Sequence, residues 1–578
     1  MLNINYQKCN NQTLLTNLEE KHNISKIQNY QPILNEFLLL NDTNYSNTQL
    51  ENNFLIHEHC HNDTYKIKNI TNKSVNEKEI FFKISPILNP YKFFVGKYDL
   101  SSLHVLPKFH MKTNNLQSVS GKVIDKIQSK HNSSYTESFF VYLSCKLLTQ
   151  FNFINGIEYY GSFLGIKNNF TENIYEDLEY LCESDYFLKE KNNLFTIDDK
   201  DNIIDITSNN GNNIIKKNPI SIGDIIDIDN FDNFDSVNFD DIFQNDVEIK
   251  DDKLTEYDID ITFDNNTSDN VVSLFNSSLS SSSTSSTCSS RTSHTCSLNS
   301  HDSDSDTEYD SDSNSESVTT CSNDSHKVNA IIPNFPVNLI CMEKYTGTLE
   351  QLIDDDLLTD DKWFACLMQI IMSLITYQKM FSFTHNDLHT NNVMFKLTKE
   401  KFIYYKFENK IYKVPTFGRI FTIIDFGRSI YKVKDKLFCS DCFDSDGDAN
   451  SQYNTEPFFN DNKQRLEPNY SFDLCRLACS IFDFIVEDID DVVDLNKISS
   501  PLTKLIVEWC MDDKGNNVLY KKNGDDRYPD FKLYKMIARH CNNHTPVNQL
   551  SRKEFKKFIT NEKNIKKIVN IDIMGNFK

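Results

Sequence analysis

The sequence predicts a mixed α+β protein, with a small β-rich lobe, a larger helical lobe and a long acidic insertion dividing the first. Three observations carry this. Short alternating apolar runs, the mark of half-buried strands, lie before residue 171, and one more apolar run follows 334. Beyond 347 apolar residues recur mainly at spacings of three and four, the period of helices. Between the two regions, residues 171–334 hold 35 of the chain's 83 acidic residues but only 9 of its 60 basic ones.

The elements follow in order. Residues 1–45 are Asn-rich and weakly periodic, and they read as a poorly ordered leader before a lobe that begins at 46. Phe54-Leu55-Ile56, Thr64–Ile70 and Glu79–Ile84 read as strands, the last ended by Ser85-Pro86. Ser133–Gln150 reads as a helix, with Ser134 as its cap, Glu137 at capping-box spacing, and Phe140, Leu143, Leu147 and Leu148 on one face. Ile157–Ile166 returns to strand character. Residues 171–334 form the insertion. Its stretch 272–327 is a serine run followed by alternating Ser and Asp, with too few apolar side chains to offset the entropy of ordering. Val337–Met342 reads as a buried strand, 335–346 as the passage between lobes, and Trp363–Met380 as a strong helix. Val393–Phe395 and Phe421–Ile424 are short strands, 401–413 a hairpin, and the chain past 470 helical to 560, with a tail from 561.

Composition narrows the function. Outside the insertion the chain has 48 acidic and 51 basic residues, a balance that argues against a dedicated nucleic-acid binder. The longest apolar stretch, Leu367–Ile375, is broken by Gln369 and Ser373, so no membrane span is expected. The opening MLNINYQKCNNQ lacks the pattern of a secretory signal. The 15 cysteines keep no framework spacing and read as the reduced thiols of an intracellular, non-secreted protein.

Chemistry concentrates in Thr384-His385-Asn386-Asp387-Leu388-His389-Thr390-Asn391-Asn392-Val393, which follows a buried helix and precedes a strand. It fits H-x-D-x-x-x-x-N. Ile424-Asp425-Phe426-Gly427 follows 38 residues after Asp387, again after a strand. In this order and context the pair resembles the catalytic core of eukaryotic-type serine/threonine protein kinases. The segments at 81–100, 384–395 and 438–454 resemble more closely the kinases of large DNA viruses, including those infecting amoebae. The resemblance covers roughly 50–170 and 335–560.

It implies a bilobal kinase fold and an ATP- and Mg-dependent transfer of the γ-phosphate to a protein Ser/Thr hydroxyl. Asp387 would take the hydroxyl proton, and Asn392 and Asp425 would hold magnesium, which prefers hard oxygen ligands. Lys83 matches the lysine on the α/β-phosphates and Glu137 its ion-pair partner. Glu343 and Tyr345 match the hinge whose backbone binds adenine, and Met394 the apolar residue against it. Asp473 matches the buried carboxylate that anchors the catalytic loop. His385 and Phe426 read as packing groups, and Gly427 as the point where the chain turns.

Departures qualify the match. No glycine precedes Gly96, so the Gly-rich phosphate loop is missing, and His57–Asp63 stands in its place as a turn expected to cover ATP. Asn386 replaces the arginine that pairs with an activation-segment phosphate, which predicts activity without that phosphorylation. His389 stands where lysine is usual, and its imidazole would donate to a γ-phosphate oxygen. No A-P-E follows Phe426-Gly427. Cys439 and Cys442 read as ordinary thiols, the Asp444–Asp448 echo of a calcium loop lacks the ligand spacing, and 552–567 reads as an amphipathic last helix. Two alternatives share the fold, a small-molecule kinase and a pseudokinase or scaffold. The expected partners are ATP and a protein substrate, with neither nucleic acid nor membrane, and the acidic insertion is expected to attract basic partners and to carry phosphate on its serines. A viral chain would work in the host cytoplasm, with the virion as a second location.

Overall fold

Alternation of buried and exposed residues builds the sheets. The structure, a computed structural model, describes residues 2–110, 119–175, 177–198 and 328–575. It is mixed α+β with several sheets.

The first part of the chain contains β1 (Tyr6–Lys8), α1 (Gln12–His22), β2 (Ile24–Gln28), β3 (Thr48–Leu50), β4 (Phe54–His61), β5 (Thr64–Asn69) and β6 (Val75–Pro86). After it come α2 (Pro90–Phe94), α3 (Val119–Gln128), α4 (Ser133–Phe151), β7 (Tyr159–Asn173), α5 (Leu178–Cys182), α6 (Asp185–Glu190), β8 (Thr196–Asp198) and β9 (Asn329–Glu343). The main sheet runs β2-β7-β9-β6-β5-β4, with β8 added beside β9. Its centre is the antiparallel pair β6/β9, which sets Lys83 opposite Ile340. Phe54, Ile56, Tyr65, Ile67 and Ile80 turn to the core as the period-two pattern requires.

Helix α4 packs behind this sheet, with Tyr135, Phe139, Phe140, Leu143 and Leu147 buried on several faces. Asn132 caps it, accepting from the Ser134 N–H at 3.1 Å. Ser134 itself lies inside the first turn, and with the cap at Asn132 the capping-box position falls on Tyr135 rather than Glu137.

The remaining chain has β10 (Gly347–Thr348), α7 (Leu349–Asp354), α8 (Asp360–Phe381), β11 (Val393–Leu397), β12 (Phe402–Phe407), β13 (Lys410–Pro415), β14 (Arg419–Ile423), β15 (Ile430–Val433) and β16 (Lys436–Cys439). It continues with α9 (Phe472–Ile485), α10 (Pro501–Trp509) and α11 (Lys532–His540). Strands β10-β11-β14 form a small sheet, β12/β13 the expected hairpin, and β15/β16 a second hairpin. Helix α8 is apolar and long enough to cross a membrane by length, but 94% of its apolar window is buried within the protein, as befits a core helix.

Four expectations change. The leader is ordered: Leu15 and Leu18 of α1 and Ile24 of β2 are buried, and β2 extends the main sheet by pairing with β7. Its weak periodicity hid a helix and an edge strand stabilised by tertiary pairing rather than by local pattern. Ordered structure also reaches into the acidic segment. β7 and β9 pair as far as Asn173 with Asn329, and α5, α6 and β8 follow with Leu178, Leu181 and Phe187 buried. The expectations for 199–327, the serine-acidic stretch included, lie outside the described residues. The anticipated last helix over 552–567 is a single turn, Lys553–Lys556. The tail then joins the hairpin sheet, where Val569 pairs beside Tyr405 and Ile571 and Met574 are buried.

Candidate functional site

The site assembles from strand ends and loops. Lys83 projects from β6 and is only 4% exposed. Its Nζ lies 2.5 Å from Glu137 Oε1 on α4 and 3.0 Å from Asp425 Oδ2 beyond β14. Burial favours the neutral amine, but the two carboxylates, Asp425 foremost, outweigh it and hold Lys83 protonated. Burial likewise pushes Glu137 upward, against the pull of Lys83. Ser85 Oγ also donates to Glu137, at 3.3 Å.

Asp425 adopts φ +64°, the left-handed region that Asp enters more readily than most residues. The sharp turn expected at Gly427 is therefore taken two residues earlier, at Asp425 itself. Phe426 is fully buried and packs on Phe140 of α4 at 4.6 Å and on His385 at 5.7 Å between ring centroids.

The loop after α8 is held from beneath. Asp473 of α9, fully buried, accepts from the His385 and Asn386 N–H groups, both at 2.9 Å. Burial raises its carboxyl, and these two donors oppose the rise. His385 does more than pack. Its Nε2 donates to Ile424 O at 2.8 Å, which leaves Nδ1 to accept from the Asp387 N–H at 3.3 Å. One neutral imidazole thus ties the Asp387 loop to the Asp425 loop. Asn392 completes the tie: its Nδ2 donates to Asp387 O at 2.9 Å, and its own carbonyl accepts from Ile424 N at 3.0 Å. Of the two amide atoms, the oxygen is the one able to ligate a hard cation.

Asp387 is 2% exposed. Burial pushes its carboxyl up, but Arg428, His389 and Arg476, with the Tyr534 hydroxyl, overcome this and keep it below the usual carboxylate value. His389 moves the other way: burial is the main cause that lowers it to about 4, so the ring is neutral near pH 7. Its Nε2 is buried without a hydrogen-bond partner. The γ-phosphate role anticipated for His389 is therefore open to it as a neutral donor, not as an imidazolium.

Other expectations are met unevenly. Glu343 ends β9, and its N–H is already committed to Glu158 O at 3.0 Å, so that backbone donor, expected for adenine, is taken. Its carboxylate binds Lys396 at 2.9 Å and Tyr345 Oη at 3.0 Å. Thr346 N bonds Phe395 O at 2.9 Å, which lays the segment after β9 against the strand carrying the half-buried Met394. His57–His61 do not form a turn. They continue β4 along β5 with two register shifts, His59 opposite Tyr65 and His61 opposite Thr64, leaving a two-residue turn at Asn62-Asp63. Lys21 of α1 holds that turn through Asn62 O and through Asp63 at 3.1 Å. Among the described residues no group of three or more His, Cys, Asp or Glu gathers to hold a metal ion, and Cys439 and Cys442 are free thiols.

Several contributors escaped sequence reasoning. Asp441, just after β16, accepts from Lys126 Nζ at 2.5 Å and from the Ser133 N–H at the start of α4 at 3.0 Å. Asp448 accepts from Asn89 at 3.1 Å, and Lys92 donates to Asp446 O. Segments 81–100 and 438–454, both quoted for the resemblance, therefore meet in space. Gly447 permits this fold-back, since a Cβ there would stand 2.1 Å from Cys442 O. Asn386, where an arginine was expected, accepts from Tyr453 Oη at 2.8 Å. No spacing rule could have linked these pairs.

No family model matches the chain. Uncharacterized protein 098R of Invertebrate iridescent virus 6 is similar, 30% identical over 182 residues, which is 30% of this chain and 26% of that relative. The match thus spans about a quarter of the relative's length.

Proposed function

We propose that this protein is a bilobal, kinase-type phosphotransferase that moves the γ-phosphate of Mg·ATP to a protein Ser/Thr hydroxyl. The observation that carries the reading is the buried Lys83 bracketed by Glu137 and Asp425, on a loop that His385 and Asn392 tie to Asp387. A lysine buried between two carboxylates is a costly arrangement for stability alone and is better explained by a polyanion to be bound.

The residues fit the groups this reading needs. Asp425 and Asn392 offer the hard oxygens suited to magnesium, which usually takes one or two protein ligands and completes its shell with phosphate and water. Magnesium, when bound, neutralises charge on the phosphates. Lys83 contributes a fixed positive charge toward them, and the orphaned Nε2 of His389 a neutral donor. Asp387, held ionised by its neighbours, accepts the proton of the attacking hydroxyl. Asp473 and His385 keep that carboxylate oriented, a contribution through positioning.

A second reading, a nucleotide-binding protein without transfer activity, is favoured by one observation: the Tyr534 hydroxyl bonded to Asp387. Transfer of γ-labelled phosphate to panels of proteins and small molecules separates these readings. Transfer to protein that disappears in Asp387→Asn supports the first. Binding of Mg·ATP with no transfer supports the second, and absence of Mg·ATP binding at millimolar concentration removes both.

A further inference from the structure

Asp387 already has an occupant. Tyr534, on the first turn of α11, donates its hydroxyl proton to Asp387 Oδ1 at 2.7 Å. The direction is fixed. Arg476 Nε donates to the same hydroxyl oxygen at 2.8 Å, and an arginine cannot accept, so the single hydroxyl hydrogen goes to the carboxylate. This is the distance and polarity at which an acceptor hydroxyl would meet a general base. On the other side, Arg428 Nε lies 3.9 Å from Asp387 Oδ2.

The occupant is built in rather than passing. The Tyr534 ring is 3% exposed and stacks on Phe531 at 5.2 Å and 17° between planes. The guanidinium of Arg476 lies 5.1 Å from its centroid and that of Arg428 5.6 Å. With Asp387 at 2% exposure, no external hydroxyl reaches the base while this ring stays. The segment leading into α11 is of another kind. Residues 521–526 are exposed, Gly524 and Asp530 take positive φ, and only then does the buried face of α11 begin at Leu533.

We propose that Tyr534 is an internal stand-in for the acceptor, and that the first turn of α11, with Phe531 and Tyr534, must withdraw before a substrate hydroxyl can engage Asp387. This inference rests on the phosphotransferase reading and adds to it a resting state closed on the acceptor side. Tyr534 touches none of Lys83, Glu137 or Asp425 in the contacts described above, so nucleotide binding is independent of it.

The test uses the full chain, γ-labelled ATP, and casein and histone H1 as acceptor probes. Tyr534→Phe keeps the ring and its stacking but removes the bond that holds the turn closed. It is expected to raise kcat/KM for the protein acceptor at least fivefold, with KM for ATP unchanged. Wild-type silence with an active Tyr534→Phe variant supports the inference equally. A Tyr534→Phe rate equal to or below that of an active wild type overturns it, as does phosphate found on Tyr534 itself by mass spectrometry, which would make the residue a substrate. If Mg·ATP binds yet neither chain transfers, or if Asp387→Asn transfers as fast as wild type, the phosphotransferase reading fails, and the stand-in with it. Should Tyr534→Phe not fold, hydrogen exchange over 528–541 in the wild type decides. Saturation with a non-hydrolysable ATP analogue and histone H1 is expected to raise exchange there, and exchange unchanged with histone bound refutes the withdrawal.

Discussion

Replacing Asp441 by Ala should show how strongly the segment after Asp425 is bound to α4. The carboxylate does two jobs. It caps the α4 N-terminus through Ser133 N at 3.0 Å, and it neutralises Lys126 at 2.5 Å. Loss of a capping carboxylate costs about 1 kcal/mol. Breaking a buried ion pair costs about 3–5 kcal/mol when both partners are buried. Here the Asp441 side chain is 9% exposed but that of Lys126 is 25%, so water relieves part of the loss and roughly 2 kcal/mol is reasonable. The variant should therefore lose about 3 kcal/mol in urea unfolding, and Asp441→Asn, which keeps the cap, about 2 kcal/mol. Because α4 also carries Glu137, a loosened first turn should weaken the grip on Lys83, and Mg·ATP affinity by calorimetry should fall in parallel. An Asp441→Ala chain within about 0.5 kcal/mol of wild type, with unchanged nucleotide affinity, would refute the reading that this carboxylate ties the segment to α4.

Three further outcomes are expected. Lys83→Met strands the buried Glu137 beside the half-buried Asp425, two like charges without their partner, and should cost about 3 kcal/mol in urea unfolding and abolish Mg·ATP binding. A stability within 1 kcal/mol of wild type, with nucleotide binding intact, would contradict it. His389, and His22 likewise, is lowered by burial to about 4 in the folded protein. Between pH 6.5 and 4 the unfolded chain binds the extra protons, so stability falls as pH drops, by about 2 kcal/mol per histidine at pH 5. The double variant His22→Gln/His389→Gln should flatten that slope between pH 7 and 5, and a slope equal to wild type counts against it. Finally, since Tyr453 reaches Asn386 through a neutral hydrogen bond that needs no phosphate, the proposed transfer should run at an undiminished rate in phosphatase-treated protein. Loss of transfer after treatment would show that the segment needs a phosphate after all.

Legibility in the sequence followed distance along the chain. Asp387 and Asn392 stand five residues apart, and the bond between them is a property of one short loop, so their spacing announced it. The apolar period of α8 and the alternation in β5 are equally local, and both elements emerged where expected. Lys83 and Glu137 are 54 residues apart, and their pairing was legible only because strand and helix follow each other in order. The leader was misread because Leu18 and Ile24 are buried by tertiary packing and β2 is held by pairing with β7, partners absent from their own windows. His57–His61 was misread for the reverse reason: a polar run looked like a turn, while cross-strand pairing with β5 kept it extended.

What the sequence by itself determined is the cast of this site: two carboxylates, an amide, a lysine and its glutamate, with the elements that carry most of them. Which atoms meet was decided only in three dimensions. Asp441 reaches Lys126 across 315 positions, and Tyr534 reaches Asp387 across 147. A helical or strand period constrains neighbours a few residues away, whereas contacts over such separations exist only once the core has packed, and packing set a tyrosine hydroxyl on the Asp387 carboxylate.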